Sequence, residues 1–114
     1  MSLRNKVTLI GRTGKAVEIT NFENGQKASV KLATTDYYKN AQGEKKEDTQ
    51  WHNLVAFGHT ADILNYAKKG QEIAVEGKII NRSYDDKDGN KKYISEIRVE
   101  EILLLSGKSE NTEE

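Results

Sequence analysis

Residues 49–58 read TQWHNLVAFG and hold the only tryptophan of the chain and one of its two phenylalanines. In an extended strand, successive side chains point to opposite faces. One face would carry Trp51, Asn53, Val55 and Phe57, and the other His52, Leu54 and Ala56. Hydrophobicity favours the Trp51 face as the core. If Trp51 points outward instead, the largest aromatic side chain is available to contact a ligand. Periodicity leaves both alternatives open.

Length and composition predict one small domain. The chain has 114 residues, 18 basic and 18 acidic, and no cysteine, which excludes disulfides and thiolate metal sites. It has neither an apolar run of about 18 residues for a membrane helix nor an apolar signal segment, so we expect a cytoplasmic location. A protein that depends mainly on duplex phosphates would be more basic. A nucleic-acid binder of this composition therefore needs a second source of affinity.

The order of the predicted elements indicates a small β-barrel. The predicted extended pieces are residues 6–11, 16–22, 28–33, 49–58, 72–84 and 91–105. The Asn-Gly pair within residues 23–26 predicts a hairpin turn, and residues 40–48 read as a flexible polar loop. Residues 60–69 are predicted to form a helix, with Thr60 as its N-cap and Gly70 just beyond its end.

With the two pieces on either side of the GRTG bend counted as one strand, this order predicts an all-β fold, a five-stranded OB-fold barrel with one short α-helix between strands 3 and 4. Residues 1–106 would form the domain. Residues 107–114, with one lysine and three glutamates, are predicted to be a short, acidic, disordered tail.

Three patterns resemble catalytic or ligand sites but lack essential parts. The segment GRTGK lacks the spacer and the Ser/Thr of a phosphate loop. The segment DDKDGN would leave a calcium loop without acids at its first and last ligand positions. His52 and His59 have no third metal ligand beside them, and no catalytic triad can be assembled. We therefore predict no enzyme activity, no metal and no cofactor.

Aromatic residues alternate with basic ones in two places. Tyr84 shares the polar face of its strand with Lys78 and Arg82, and Tyr37 and Tyr38 precede a lysine-rich loop. Proteins that bind single-stranded nucleic acid combine these two residue types, because rings stack on unpaired bases while cations follow the phosphates.

Five segments occur in the order and spacing of bacterial single-stranded DNA-binding proteins. They are NKVTLIG, SVKLATTDYY, DTQWHNLVAFG, AKKG and VEGKIINRSYDDKDGNKKYISEI, within residues 3–105. The resemblance implies an OB-fold homotetramer that binds single-stranded DNA without sequence preference. Such a protein protects unpaired strands during replication, recombination and repair in the bacterial cytoplasm, at the nucleoid.

The resemblance also implies roles for individual residues, and it turns the Trp51 face outward, toward DNA. The implied base-stacking residues are Tyr38, Trp51, Phe57 and Tyr84. The predicted phosphate contacts are Lys6, Lys39, Lys45, Lys46, Lys78 and Arg82. His52 matches a family position at a subunit interface. Ile80 stands where the family often has a basic residue, which would weaken one phosphate contact.

Family members usually continue into a long linker that ends in an acidic Pro-Phe tip, whereas this sequence ends in SGKSENTEE. The resemblance implies replication and repair proteins as partners. Because family members recruit them through this tip, the sequence does not predict whether this protein recruits them. One alternative is a dimeric OB-fold protein of the primosome type, which couples DNA to a helicase loader. Another is an OB-fold used only for protein interaction.

Overall fold

The structure, a computed structural model, describes residues 3–105 and consists mostly of β-strands. The elements are β1 (Val7–Thr13), β2 (Glu18–Phe22), β3 (Gly25–Lys39), β4 (Lys45–Phe57), α1 (Gly58–Leu64), β5 (Glu72–Asp85) and β6 (Lys91–Leu104). The tail predicted for residues 107–114 lies outside the described residues.

The strands close into a barrel. Their order in the sheet is β1-β5-β6-β4-β3-β2, and β1 also pairs with β3, through Arg12 opposite Ala33 and Thr13 opposite Leu32. Because β1 and β2 both pair with β3, they are two halves of one strand that is interrupted at residues 14–17. Counted in this way, the barrel has five strands, with α1 between the third and the fourth. The predicted OB-fold is confirmed.

Two glycines allow strands to approach closely. A Cβ atom on Gly11 of β1 would overlap the carbonyl oxygen of Ala33 on β3, where the barrel closes. A Cβ atom on Gly77 would overlap the carbonyl oxygen of Arg98, at the bulge where the β5–β6 register shifts. Side chains at these positions would force the strands apart.

The barrel interior is aliphatic. Its largest fully buried side chains are Leu32, Leu54, Leu64 and Ile73, and burial of each such side chain contributes about 1.5–3 kcal/mol. Ile79 has the same parity on β5 as the buried Ile73 and Val75, but it is exposed. At this point β5 has passed the end of β1, and the Asn5 side chain bonds to the Ile79 backbone N–H and carbonyl, at 3.0 and 3.1 Å.

The helix is shorter than predicted and begins earlier. It follows β4 directly, with Phe57 at the N-cap and no side-chain capping bond, so the prediction of Thr60 as N-cap was wrong. Ala61 and Leu64 are the buried residues of α1, and their packing against the barrel decides its position. Gly70 does adopt a positive φ of 79°, in the connection to β5 rather than at the helix end.

The hairpin between β3 and β4 is longer than the sequence indicated. Pairing continues from the barrel to Lys39 opposite Lys45, so only residues 40–44 form the turn that was predicted for residues 40–48. The Asn40 side-chain oxygen accepts bonds from the Gln42 and Glu44 amides, at 3.0 and 2.9 Å. Residues 45–48 gave no strand signal because both faces of this hairpin are exposed, so no apolar alternation is needed.

Candidate nucleic-acid interface

The register of four neighbouring strands joins their outward-pointing side chains into one surface, here called the outer face. Leu54 of β4 lies opposite Val30 of β3 and Ile97 of β6, and all three are buried. Residues of the other parity therefore point away from the core. The outer face consists of Lys27, Ser29 and Lys31 on β3, Trp51, Asn53, Val55 and Phe57 on β4, Ile94, Glu96 and Arg98 on β6, and Lys78, Ile80, Arg82 and Tyr84 on β5.

The two large aromatics of β4 point outward. Trp51 is 58% exposed and Phe57 is 41% exposed, whereas Leu54 and Ala56 are buried in the core. Val55 is on the outer face but buried, and it is not part of the core cluster. The orientation that the resemblance implied is therefore the one in the structure. Stacking of these rings on bases stays a prediction.

Trp51 lies beside a groove of about 580 Å³. Gly14, in the break between β1 and β2, forms part of its wall, and a Cβ atom there would lie 2.5 Å from Cζ3 of the indole. The glycine thus lets the indole lie against the backbone. Lys31, Asn53 and Glu96 add polar groups to the groove, so a base on Trp51 would have its edge near hydrogen-bonding side chains.

Arg98 is a candidate binding residue that the sequence analysis missed. Its guanidinium carbon lies 4.8 Å from the centroid of the Phe57 ring, a cation–π arrangement. Lys78 is directly opposite it on β5, and like charges at such a position destabilise a sheet. A phosphate would relieve that repulsion. The signal in the sequence was the alternation of Ile97, Arg98 and Val99, which puts a cation on the outer face.

Arg82 and Tyr84 lie on the same outward side of β5. The guanidinium of Arg82 donates two hydrogen bonds to the carboxylate of Glu96 on β6, Nε to Oε1 at 3.0 Å and Nη2 to Oε2 at 3.1 Å. This pair lowers the pKa of Glu96 and raises the pKa of Arg82. A phosphate that binds Arg82 must therefore compete with Glu96.

The β3–β4 hairpin divides the other predicted residues between its two faces. Lys39 and Lys45 are paired with each other and have the parity of Trp51, so they continue the outer face. Tyr38 and Lys46 are also opposite one another but have the other parity. Tyr38 is exposed, on the reverse of the hairpin.

Lys6 is held elsewhere. Its ammonium nitrogen lies 2.8 Å from a carboxylate oxygen of Glu76, and this contact raises the pKa of Lys6 and lowers the pKa of Glu76. Glu76 faces Thr8 on β1 and Glu101 on β6. Lys6, one of the predicted phosphate contacts, therefore lies beside Glu76 and away from Trp51.

His52 points away from the outer face and is half-buried. Its Nε2 lies 2.9 Å from the hydroxyl of Thr34 on β3. A separate exposed apolar patch is formed where Ile10, Ala74 and Leu103 lie side by side on β1, β5 and β6. Ile10 and Leu103 are both more than half exposed.

Two other kinds of site are absent from residues 3–105. This part of the chain contains no group of three or more His, Cys, Asp or Glu side chains arranged to hold a metal ion. None of its helices has the length and apolarity to cross a membrane.

Comparison with known proteins gives a consistent result. The sequence model of the single-strand binding protein family matches residues 4–105. "Single-stranded DNA-binding protein 1" of Xylella fastidiosa is 40% identical to this chain, over 97% of the chain and 84% of that protein. The single-stranded DNA-binding protein of Bacteroides thetaiotaomicron is 44% identical, over 95% of this chain and 70% of its own length.

A solved structure is also similar. It is described as a Plasmodium falciparum SSB complex with single-stranded DNA, and it superposes with a TM-score of 0.82 at 29% identity. The match covers 93% of this chain and 97% of that one. The two chains thus share one fold over most of their length.

Proposed function

The chain belongs to the single-strand binding protein family, and from this premise we propose that it binds single-stranded DNA without sequence preference. It would protect unpaired strands during replication, recombination and repair, in the bacterial cytoplasm at the nucleoid. This activity is binding alone and requires neither a catalytic group nor a cofactor.

The observation that carries the proposal is the outer face, where exposed Trp51 and Phe57 lie among lysines and arginines. Stacking of a base on an aromatic side chain contributes about 1–3 kcal/mol and tolerates any base. The cations supply a salt-dependent contribution through the phosphates. Duplex DNA would bind weakly, because its bases already stack on each other.

We assign base stacking to Trp51, Phe57 and Tyr84 on the outer face and to Tyr38 on the reverse of the hairpin. The proposed phosphate contacts are Lys6, Lys39, Lys45, Lys46, Lys78 and Arg82, to which the position of Arg98 over Phe57 adds one more. Because Tyr38 and Lys46 point away from the other residues, they would contact a different part of the bound strand.

We also propose that the protein assembles as a homotetramer. The exposed patch of Ile10, Ala74 and Leu103 supports self-association, since burial of apolar area drives assembly. His52, whose side chain points away from the DNA-binding face, is proposed to lie at or near a contact between copies. A dimer, as in the primosome-type alternative, would be distinguished by light scattering. Proteins of replication and repair are further proposed partners.

Titration with an oligo-dT strand tests the DNA-binding proposal directly. Because Trp51 is the sole tryptophan and is exposed, a base stacked on it should quench most of the emission. A duplex of the same length, at the same salt concentration, should quench little. Unchanged emission at saturating oligo-dT, with binding demonstrated by anisotropy of a labelled strand, would remove Trp51 from the proposed interface.

A further inference from the structure

The edge strand β2 extends the outer face by one more strand and carries an exposed aromatic ring near its end. Ile19 of β2 lies opposite the buried Ala28 of β3, and Ile19 packs against the core cluster. Residues of the other parity, Glu18, Thr20 and Phe22, therefore point to the same side as the outer-face residues of β3. Phe22 is 55% exposed, so β2 presents its one aromatic side chain to solvent on the DNA-binding side of the barrel.

Lys27 of β3 lies between the rings of Phe22 and Phe57. It is opposite Phe57 of β4 on one side and opposite Thr20 of β2 on the other, and Phe22 is two residues beyond Thr20. With neighbouring strands ~4.8 Å apart and ~3.3 Å per residue, the two aromatic residues are about 12 Å apart. This separation exceeds the ~3.4 Å between stacked bases. The two rings would therefore meet different bases, and the phosphates between those bases would pass Lys27.

The Phe22 ring is uncovered and its position is fixed by the hairpin of β2 and β3. Its cross-strand neighbour is Gly25, which has no side chain to cover the ring. Among the described strands, none pairs with the other edge of β2. The side-chain amide of Gln26 donates a hydrogen bond to the carboxylate of Asp62 on α1, and this bond ties the end of the hairpin to the helix.

The charges around the two rings favour a DNA path from Phe57 toward Phe22. The cations there are Lys27, opposite Phe57, and Arg98, whose guanidinium lies over the Phe57 ring. The acidic residues near Phe22 are Glu23, in the turn, and Asp62, whose carboxylate accepts the bond from Gln26. Phosphates that leave Phe57 are thus attracted to Lys27 before they reach the acidic end of the hairpin.

We propose that Phe22 is a further DNA-binding residue, which contacts a base at the β2 edge of the outer face, with Lys27 beside it as a phosphate contact. The bound strand would cross β3 between Phe57 and Phe22. The inference rests on the proposed function, because it assumes that the outer face binds single-stranded DNA. It concerns a part of the barrel that none of the residues assigned above occupies.

The first test moves the tryptophan reporter to β2. In the full chain with Trp51→Phe and Phe22→Trp, the sole tryptophan stands at position 22, and saturating oligo-dT should quench most of its emission. The matched control carries Trp51→Phe and Tyr93→Trp, because Tyr93 is 78% exposed on the side of the β5–β6 hairpin that does not carry Tyr84. Its emission should change little. Anisotropy of a labelled strand establishes saturation for both proteins.

The second test compares affinities for oligo-dT by anisotropy. Phe22→Thr removes the ring but keeps a side chain suited to a strand, and we expect binding to weaken about tenfold. Phe22→Tyr keeps an aromatic ring and should bind within about twofold of the parent chain. Lys27→Gln should reduce the slope of log affinity against log salt by about 0.7, the value for one phosphate contact on a single strand. Tyr93→Thr is the matched control and should bind like the parent chain.

The Phe22 proposal and the proposed function fail in different ways. If the parent chain binds oligo-dT but the tryptophan at position 22 is quenched no more than the Tyr93→Trp control, Phe22 is not a DNA contact and the proposed function stands. Unchanged affinity in Phe22→Thr also overturns the Phe22 proposal. If the parent chain binds no single-stranded DNA, the proposed function itself has failed. The midpoint of thermal unfolding of each variant, measured in parallel, separates loss of a DNA contact from loss of the hairpin.

Discussion

Arg82 illustrates how one residue of the outer face is held before DNA arrives. Its guanidinium is fixed by Glu96 on the neighbouring strand through two hydrogen bonds. About half of the Arg82 side chain is exposed to solvent, which screens its attraction to the carboxylate, so a phosphate can displace Glu96 at low cost. The pair orients Arg82 and at the same time reduces the positive charge of the surface beside the Trp51 groove.

Removal of that carboxylate should strengthen DNA binding. In Glu96→Gln, Arg82 no longer has a charged partner, so we expect affinity for oligo-dT to rise about two- to fivefold. The slope of log affinity against log salt should steepen by at most about 0.7, the value for one phosphate contact on a single strand, because Arg82 then meets the phosphate without competition from Glu96. Anisotropy titrations at four salt concentrations measure both quantities.

Glu100→Gln is the matched control for this prediction. Glu100 is an exposed residue of β6, at the register shift between β5 and β6 and outside the outer face. Its replacement changes the net charge equally but should leave the salt slope unchanged. Equal behaviour of the two variants would mean that Arg82 does not reach a phosphate.

Strands that run beyond the barrel are the elements that extend the binding surface. The β5–β6 pairing continues to Asp85 opposite Lys91, and the β3–β4 pairing continues to Lys39 opposite Lys45. These extensions have little core of their own. Ion pairs across strands, such as Arg82 with Glu96, therefore contribute a larger share of the stability of these extensions.

The ion pairs of β5 predict a dependence of stability on pH. The pKa values of Glu76 and Glu96 are lowered from the ordinary value of 4.5 by Lys6 and Arg82. Their contribution to the free energy of unfolding is therefore complete above about pH 4.5 and is lost as the pH falls through the lowered pKa values. Relative to the parent chain, Glu76→Gln with Glu96→Gln should lower Tm by at most a few degrees at pH 6.

Thermal unfolding between pH 7 and pH 3 measures this effect. The difference in Tm between the parent chain and the double variant should be constant from pH 7 to pH 5 and should shrink below pH 4.5. Glu100→Gln again serves as the control and should keep the profile of the parent chain. A difference that persists unchanged to pH 3 would assign the loss to packing rather than to charge.

The whole molecule offers a limited surface to a long DNA strand. The longest extent of one chain is 50 Å, and one outer face can hold only a short segment. Association of several copies would extend the surface. His52 and the patch of Ile10, Ala74 and Leu103 lie outside the outer face. Among the proposed DNA contacts, Lys6 is near this patch, through its ion pair with Glu76.

His52→Tyr should weaken that association. The larger ring cannot keep the contact of Nε2 with the Thr34 hydroxyl, and at an interface it would displace the neighbouring copy. We expect the variant to dissociate at concentrations at least about tenfold higher than the parent chain. Sedimentation velocity across a dilution series measures the shift.

The control for this prediction is Glu23→Tyr, because Glu23 is exposed in the turn between β2 and β3 and belongs neither to the outer face nor to the apolar patch. It should assemble like the parent chain, and any loss of DNA affinity in His52→Tyr should follow its loss of assembly. If His52→Tyr kept its oligomeric state at every dilution but bound DNA poorly, His52 would belong to the DNA site.

The sequence by itself determined the succession of strands around one helix, including the two patterned strands at residues 72–84 and 91–105, because turn signals and apolar alternation are local features. It also showed which residues of β5 point outward. It did not determine the length of the β3–β4 hairpin or the start of α1. Strands exposed on both faces have no apolar alternation, and packing of Ala61 and Leu64 against the barrel decides the helix position.

Only the tertiary structure decided which face of residues 49–58 is the core. Trp51 and Phe57 are as hydrophobic as core residues, so periodicity cannot distinguish burial from exposure. The choice depends on what lies opposite Leu54, and Val30 and Ile97 come from distant parts of the chain. The same is true of Arg98 over Phe57 and of the division of Tyr37 and Tyr38 between two faces. Each depends on the register between strands, and contacts between residues far apart in sequence fix that register.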